Sequence, residues 1–141
     1  NYETIRQLAQ QGHIVIAVGG GGVPVYFDEA GMVRTENAVV DKDLASAVLA
    51  HQIGAEALYI LTDVPFIYKD YNLPTQEKLE FLDYQMAKNY LVEGTFGEGS
   101  MKPKIVAALE FIRNGGEKCI ITEAKKLKDR SYGSKITMNL E

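Results

Sequence analysis

The sequence predicts an α/β fold, with a mainly parallel central sheet and helices on both faces, and three observations carry that prediction. Two continuous, largely aliphatic runs, Ile14 to Val18 and Ala57 to Leu61, have the composition of strands buried on both sides. Helical periodicity recurs between and after such runs, and strands alternating with helices at this spacing need crossover connections. The 141 residues, 46% hydrophobic and 24% charged, suit a single globular domain spanning 1–141.

Taken in order, Tyr2 to Gln11 places Ile5, Leu8 and Ala9 on one helical face and stops at Gly12. Ile14 to Val18 is then a buried strand that empties into Gly19-Gly20-Gly21-Gly22. Val23 to Phe27 continues extended around Pro24, Asp28 to Gly31 is a turn, and Met32 to Val40 is a loop with one short strand at its end. Asp43 to Gly54 is a helix with Leu44, Ala47, Val48 and Ile53 as its apolar stripe and Gly54 as its exit. Ala57 to Leu61 is a central strand ending in Thr62-Asp63, and Val64 to Tyr71 is loop or irregular extended chain. Lys78 to Leu82 is a short edge strand, after which Asp83 caps a helix reaching Val92. Pro103 occupies a first-turn position ahead of Ile105, Val106, Ala108, Leu109 and Ile112, a helix ended by Asn114-Gly115-Gly116. Cys119 to Thr122 is a strand, Ala124 to Asp129 a short helix, and Ser134 to Leu140 a last strand.

Composition narrows the function. The net charge of −4 argues against a general nucleic-acid or membrane surface while permitting a local positive site. No apolar run approaches a membrane span and no secretory leader opens the chain, so the expected compartment is the cytoplasm. The single cysteine, Cys119, sits in a strand-like run and reads as a buried core thiol. His13 and His51 have no metal-ligand spacing, which makes a zinc site unexpected, and no serine has a histidine assigned to it as in a hydrolase triad.

Four stretches carry possible chemistry. Four consecutive glycines at a strand end expose backbone amides that can hold a carboxylate or phosphate; a tight turn is the other reading. No Gly-Lys-Ser/Thr follows, so this is not a Walker A loop. In Asp41-Lys42-Asp43 either aspartate can cap the following helix, or Asp43 can orient a lysine toward a transferring phosphoryl group. Thr62-Asp63 lies at the carboxyl end of a strand, where α/β sheets bind ligands, and reads as a nucleotide or metal contact or as simple strand termination. Gly99-Ser100-Met101-Lys102-Pro103-Lys104 joins a pliable loop to a helix N-terminus, so amides, helix dipole and Lys104 can converge on an anion; a plain loop-to-helix junction with solvated lysines is the other reading. Lys104 lies inside the first turn, whereas Lys102 need not share its face. Tyr68 or Tyr71 can cover an adenine.

Together, Ile16 to Val25 with its four glycines, Asp41-Lys42-Asp43-Leu44-Ala45, Leu61-Thr62-Asp63-Val64 and Gly99 to Ile105 resemble the carbamate kinases of the amino-acid kinase family. The resemblance covers nearly the whole chain. It implies an αβα sandwich, normally a homodimer, that reversibly transfers phosphoryl between ATP and carbamate, making ATP from carbamoyl phosphate and ADP with Mg²⁺ held chiefly by the phosphates. By the family's pattern, Gly19, Gly20, Gly21 and Gly22 approach the acceptor or the transferring phosphate. Asp43 organises the lysines, and Lys42 and Lys104 neutralise the phosphoryl charge. The segment from Thr62 to Tyr68, with Thr62, Asp63, Val64 and Tyr68 foremost, and the loop before Met101, with Met101 and Lys102, line the nucleotide pocket by the same resemblance. The chain corresponds to the C-terminal, ATP-binding half of such an enzyme, incomplete at its N-terminus, which implies that the isolated chain is inactive. Its Tyr132 to Thr137 segment departs from the family's Gly-Thr pairing, which leaves nucleotide contacts there and the identity of the acceptor open. The other readings are a kinase for another small anionic acceptor, a nucleotide- or anion-binding module without turnover, and a structural dimerisation domain.

Overall fold

A computed structural model describes residues 1–19, 22–96 and 99–140. Among the described residues the fold is α/β with a mixed, mainly parallel central sheet and four α-helices. Helix α1 (Tyr2–Gln10) precedes a hairpin of β1 (Val25–Phe27) and β2 (Val33–Thr35). Helix α2 (Lys42–Ile53) leads into β3 (Ala57–Thr62), followed by β4 (Ile67–Lys69), β5 (Glu77–Leu79) and β6 (Phe81–Asp83). Helices α3 (Tyr84–Val92) and α4 (Met101–Arg113) come next, then β7 (Lys118–Glu123) and β8 (Ser134–Thr137).

The central sheet runs β3-β7-β8-β6, with β3 parallel to β7, β6 parallel to β8, and β7 antiparallel to β8. Alternation along these strands turns Leu58, Ile60, Cys119, Ile121, Leu82 and Ile136 toward the core shared with α2, α3 and α4. From α4 alone, Ile105, Ala107, Ala108, Phe111 and Ile112 are almost completely buried there, which makes that helix the centre of the packing. Its small residues permit close approach to α2, whose Ala47 and Ala50 are buried in the same cluster. On the sheet's opposite face, Tyr59, Ile120, Lys135 and Phe81 form one row across all four strands.

Local signals set the helix ends. Asp41 caps α2, its carboxylate accepting from the amides of Asp43 (2.8 Å) and Leu44 (3.1 Å), and Gly54 closes that helix in the left-handed region at φ 73°. Asp83 caps α3 by accepting from the Met86 amide at 2.7 Å. Gly116 and Gly133 are required for space: a Cβ would lie 2.3 Å from the Phe111 ring in the first case and 2.7 Å from the Ile121 carbonyl in the second.

Several expectations are corrected. Ile14 to Val18 is irregular and exposed, with Ile14 and Ile16 each 98% accessible, because no strand among the described residues pairs with it; an unpaired backbone stays solvated whatever its side chains prefer. Strand β3 lies at the end of the sheet's described order rather than inside it. The 64–71 segment contains β4, and the expected edge strand over 78–82 breaks at Glu80 into β5 and β6, which belong to different sheets. The break has a cause: the Glu80 carbonyl accepts from the Lys135 amide at 2.8 Å, drawing the chain from the hairpin into the central sheet. The short strand expected near Val40 is β2, at the start of that loop, the 124–129 helix is a 3₁₀ turn over Ala124–Lys126, and the last strand ends at Thr137.

Candidate active site

The packing of α4 on α2 brings two distant motifs together. Lys104, in the first turns of α4, sends its Nζ to Oδ2 of Asp43 at 2.8 Å, and both side chains are about nine-tenths buried (9% and 12% exposed). Lys42 approaches the other carboxylate oxygen of Asp43 at 3.7 Å from the surface, its side chain 64% exposed. Because Asp41 does the capping, Asp43 is left for the lysines, and one carboxylate holds two ammonium groups in register. A buried, fixed ammonium with a second, solvent-exposed one on the same carboxylate can neutralise a polyanion with little reorganisation of the first.

A cleft of about 240 Å³ opens at the carboxyl end of β3. Asp63, Val64, Phe66, Tyr68 and Tyr71 form one side, and Phe96, Gly99, Ser100 and Met101 the other. Its walls are aromatic: the Tyr68 and Tyr71 rings lie 5.7 Å apart with a 34° tilt, and Phe66 meets Tyr68 edge-on at 6.5 Å. Outside this wall, Tyr132 packs on Phe66 at 4.9 Å and Lys78 lies 4.7 Å from the Phe66 centroid. Burial and the neighbouring Glu123 carboxylate hold the Tyr132 phenol above its ordinary range, and its hydroxyl donates to Glu123 at 3.3 Å. Lys78 is held above its usual range by its ion pair with Glu80. Such a slot, apolar on its faces with one carboxylate at the rim, suits a flat heterocycle.

The start of α4 borders the same cleft. Ser100 precedes the helix without a side-chain capping bond, so the first amides of α4 are not occupied by it, and Lys104 stands one turn beyond Met101. Aromatic slot, helix N-terminus and paired lysines therefore follow one another along one short stretch of the fold.

Of the residues singled out in the sequence, Asp63, Val64, Tyr68 and Met101 line the cleft, and Lys42, Asp43 and Lys104 form the ion cluster. Thr62 ends β3 beside the cleft without lining it, its hydroxyl donating to Asp63 at 3.1 Å; Lys102 is likewise not a lining residue. Gly20 and Gly21 lie outside the described residues. Gly19 and Gly22 have nothing within 4 Å of an added Cβ, so protein packing does not require glycine there; Val18, just before, takes φ 65°, an uncommon conformation for a β-branched residue. Phe66 and Phe96 fall within the two stretches expected to line the pocket, 62–68 and the loop before Met101, but were not singled out as individual residues. A lone aromatic in a polar, glycine-rich loop was the available signal for Phe96, whereas Phe66 looked like any residue of an irregular segment. Among the described residues no group of three or more His, Cys, Asp or Glu side chains is placed to hold a metal, and no helix is long and apolar enough to cross a membrane.

Comparison with known proteins gives consistent findings. The model of the amino acid kinase family matches residues 1–123. The chain is 51% identical over 118 residues to a carbamate kinase of Thermoplasma acidophilum, covering 84% of this chain and 38% of that protein. It is 45% identical over 131 residues to the carbamate kinase of Pyrococcus horikoshii, covering 93% and 41%. Among solved structures, carbamate kinase from Giardia lamblia bound to AMP-PNP superposes with a TM-score of 0.87 at 33% identity, over 98% of this chain and 49% of that one. The chain thus spans less than half the length of these relatives.

Proposed function

Because the chain belongs to the amino acid kinase family, we propose that it is the nucleotide-binding half of a carbamate-kinase-like phosphotransferase, acting in ATP formation from carbamoyl phosphate and ADP and in the reverse reaction. The observation that carries this reading is the Asp43–Lys104 ion pair, buried one helical turn from an aromatic cleft bordered by a helix N-terminus. The AMP-PNP named for the Giardia relative supports a nucleotide as the guest.

On this reading the adenine lies among Tyr68, Tyr71, Phe66 and Phe96, with Asp63 at the rim, and the phosphates run past Ser100 and Met101 toward Lys104. Thr62 holds Asp63 in orientation, and Lys102 follows the phosphates on the outer side. Lys104 and Lys42 neutralise the phosphoryl charge in transit, while Asp43 fixes their positions. Phosphoryl transfer asks for alignment and charge stabilisation rather than a covalent nucleophile, and carbamate, already anionic, needs no strong base. The glycines 19–22 belong, by the family resemblance, to the acceptor side. Mg²⁺, if it enters with the nucleotide, would supply further positive charge to the transferring group, beside that of Lys42 and Lys104.

The test is carbamoyl-phosphate-dependent ATP formation by the longest polypeptide that carries this sequence, alongside Mg-ADP titration. Lys104→Ala and Lys42→Ala are expected to depress kcat far more than they weaken nucleotide binding. Wild-type turnover in both variants would overturn the assignment. A kinase for another small anionic acceptor is the second reading, left open by the departure of Tyr132 to Thr137 from the family's Gly-Thr pairing. ATP-dependent phosphorylation of another small carboxylate, with none of carbamate, would select it.

A further inference from the structure

Ser134 is completely buried, yet polar, and it touches neither the ion cluster nor the cleft. Its hydroxyl has two partners: it accepts from the Ile67 amide at 2.8 Å and donates to the Leu79 carbonyl. Ile67 and Leu79 face each other as the last register pair of the β4–β5 hairpin, and both are buried. Beyond them the ladder ends, and Glu80 crosses into the central sheet through its bond to the Lys135 amide. One side chain on β8 thus closes the end of the hairpin's ladder and ties the hairpin to the central sheet.

What the hairpin carries gives that link a consequence. Ile67 stands between Phe66 and Tyr68, two cleft walls. Two residues before Ser134, the Tyr132 ring packs on Phe66 at 4.9 Å. Residues 132–134 therefore hold this wall twice, by a ring behind Phe66 and by a hydroxyl beneath Ile67. Gly133 between them, at φ 112° and pressed on Ile121 and Thr122, keeps the segment seated on β7.

We propose that Ser134 is a positioning residue for nucleotide binding, setting the placement of the Phe66–Tyr68 wall through the Ile67 amide. The proposal rests on the nucleotide reading of the cleft. Without the hydroxyl, a buried amide and a buried carbonyl lose their shared partner, and the hairpin end opens locally while the core of α4 and β7 stays closed. A wall correctly seated in about one molecule in ten lowers apparent affinity about tenfold.

The experiment compares wild type, Ser134→Ala and Ser134→Thr by residue-resolved amide hydrogen exchange, thermal unfolding and Mg-ADP titration. Ser134→Ala is expected to exchange faster at Ile67 to Lys69 with β7 and α4 protection kept, and to bind Mg-ADP about tenfold more weakly. Ser134→Thr, which keeps the hydroxyl, is expected to restore both. Faster exchange at Ile67 with wild-type affinity in the Ala variant would overturn the positioning role, and so would unchanged exchange. If Ser134→Ala does not fold, Ser134→Cys takes its place, with a smaller loss in both readouts expected and wild-type values in either refuting the role. Failure of the wild type to bind Mg-ADP would refute the nucleotide reading and with it this role, while exchange at Ile67 would still report separately on the clamp.

Discussion

Replacing Asp43 by alanine strands an ammonium group in the protein interior. The Lys104 side chain is 9% exposed and its Nζ has Asp43 Oδ2 at 2.8 Å, so the variant must move that charge to water or bury it unpaired. Breaking a buried pair from one side costs about 3–5 kcal/mol; the small remaining exposure of Lys104 gives it some escape, which places the expected loss near 3 kcal/mol. Lys104→Met leaves Asp43 with Lys42 at 3.7 Å and fits an apolar chain among α4 neighbours, so about 2 kcal/mol is expected. The double variant has neither charge to satisfy. It should cost about 2–3 kcal/mol rather than the sum, a coupling of about 2 kcal/mol or more. Urea unfolding of the four proteins, with equal m-values as the check on a common unfolded state, measures this directly. Additive losses would show that the pair does not hold Lys104 and would remove the basis for giving Asp43 an organising role.

Other substitutions test the packing behind the site. Gly133→Ala places a Cβ 2.7 Å from the Ile121 carbonyl at φ 112°, and a loss of about 2–3 kcal/mol is expected in the same urea assay; a wild-type midpoint would contradict the tight seating of residues 132–134. Thr122 is buried with a hydroxyl that has no partner among the described residues, so Thr122→Val should be neutral or stabilise by up to about 1 kcal/mol, and a loss above that would reveal a partner for it. Burial first, with the Asp43 charge nearby, pushes the Cys119 thiol up to about 12, so it should resist alkylating reagents at pH 8 until the protein unfolds. Since the folded pKa lies above the unfolded value, the native state binds the extra proton: this contribution to stability is complete below about pH 8.5 and fades as pH rises toward 12. Cys119→Ala should therefore show a shallower loss of stability over that range, and parallel profiles would refute the burial argument.

What could be read in the sequence follows the reach of each signal. Helices α2 and α4 were legible because their signals are local: an N-terminal aspartate, an apolar stripe and Gly54 for α2, and Pro103, an apolar stripe and Asn114-Gly115-Gly116 for α4. Ile14 to Val18 misled for the opposite reason: its composition reports what a strand would favour, while pairing depends on a partner elsewhere. The break at Glu80 was hidden because its cause is the amide of Lys135, 55 residues on. In the site, charge type and position within α4 marked Lys104, but two aspartates in Asp41-Lys42-Asp43 both suited a cap. Only the carboxylate of Asp41 on the amides of Asp43 and Leu44 separates their roles. Aromatic walls were half legible: the stretch 62–68 and the loop before Met101 stood out as segments, whereas which side chains in them face the cleft, Phe66 and Phe96 among them, depends on contacts between parts of the chain far apart in sequence.

The most direct test of the proposed function is a residue-resolved map of Mg-ADP binding by heteronuclear NMR on this chain. The reading predicts saturable shifts concentrated at Asp63, Val64, Tyr68, Ser100 and Met101, extending to Lys104, and weakened binding in Tyr68→Ala. Shifts centred elsewhere, or none at millimolar nucleotide from a folded chain, would contradict it.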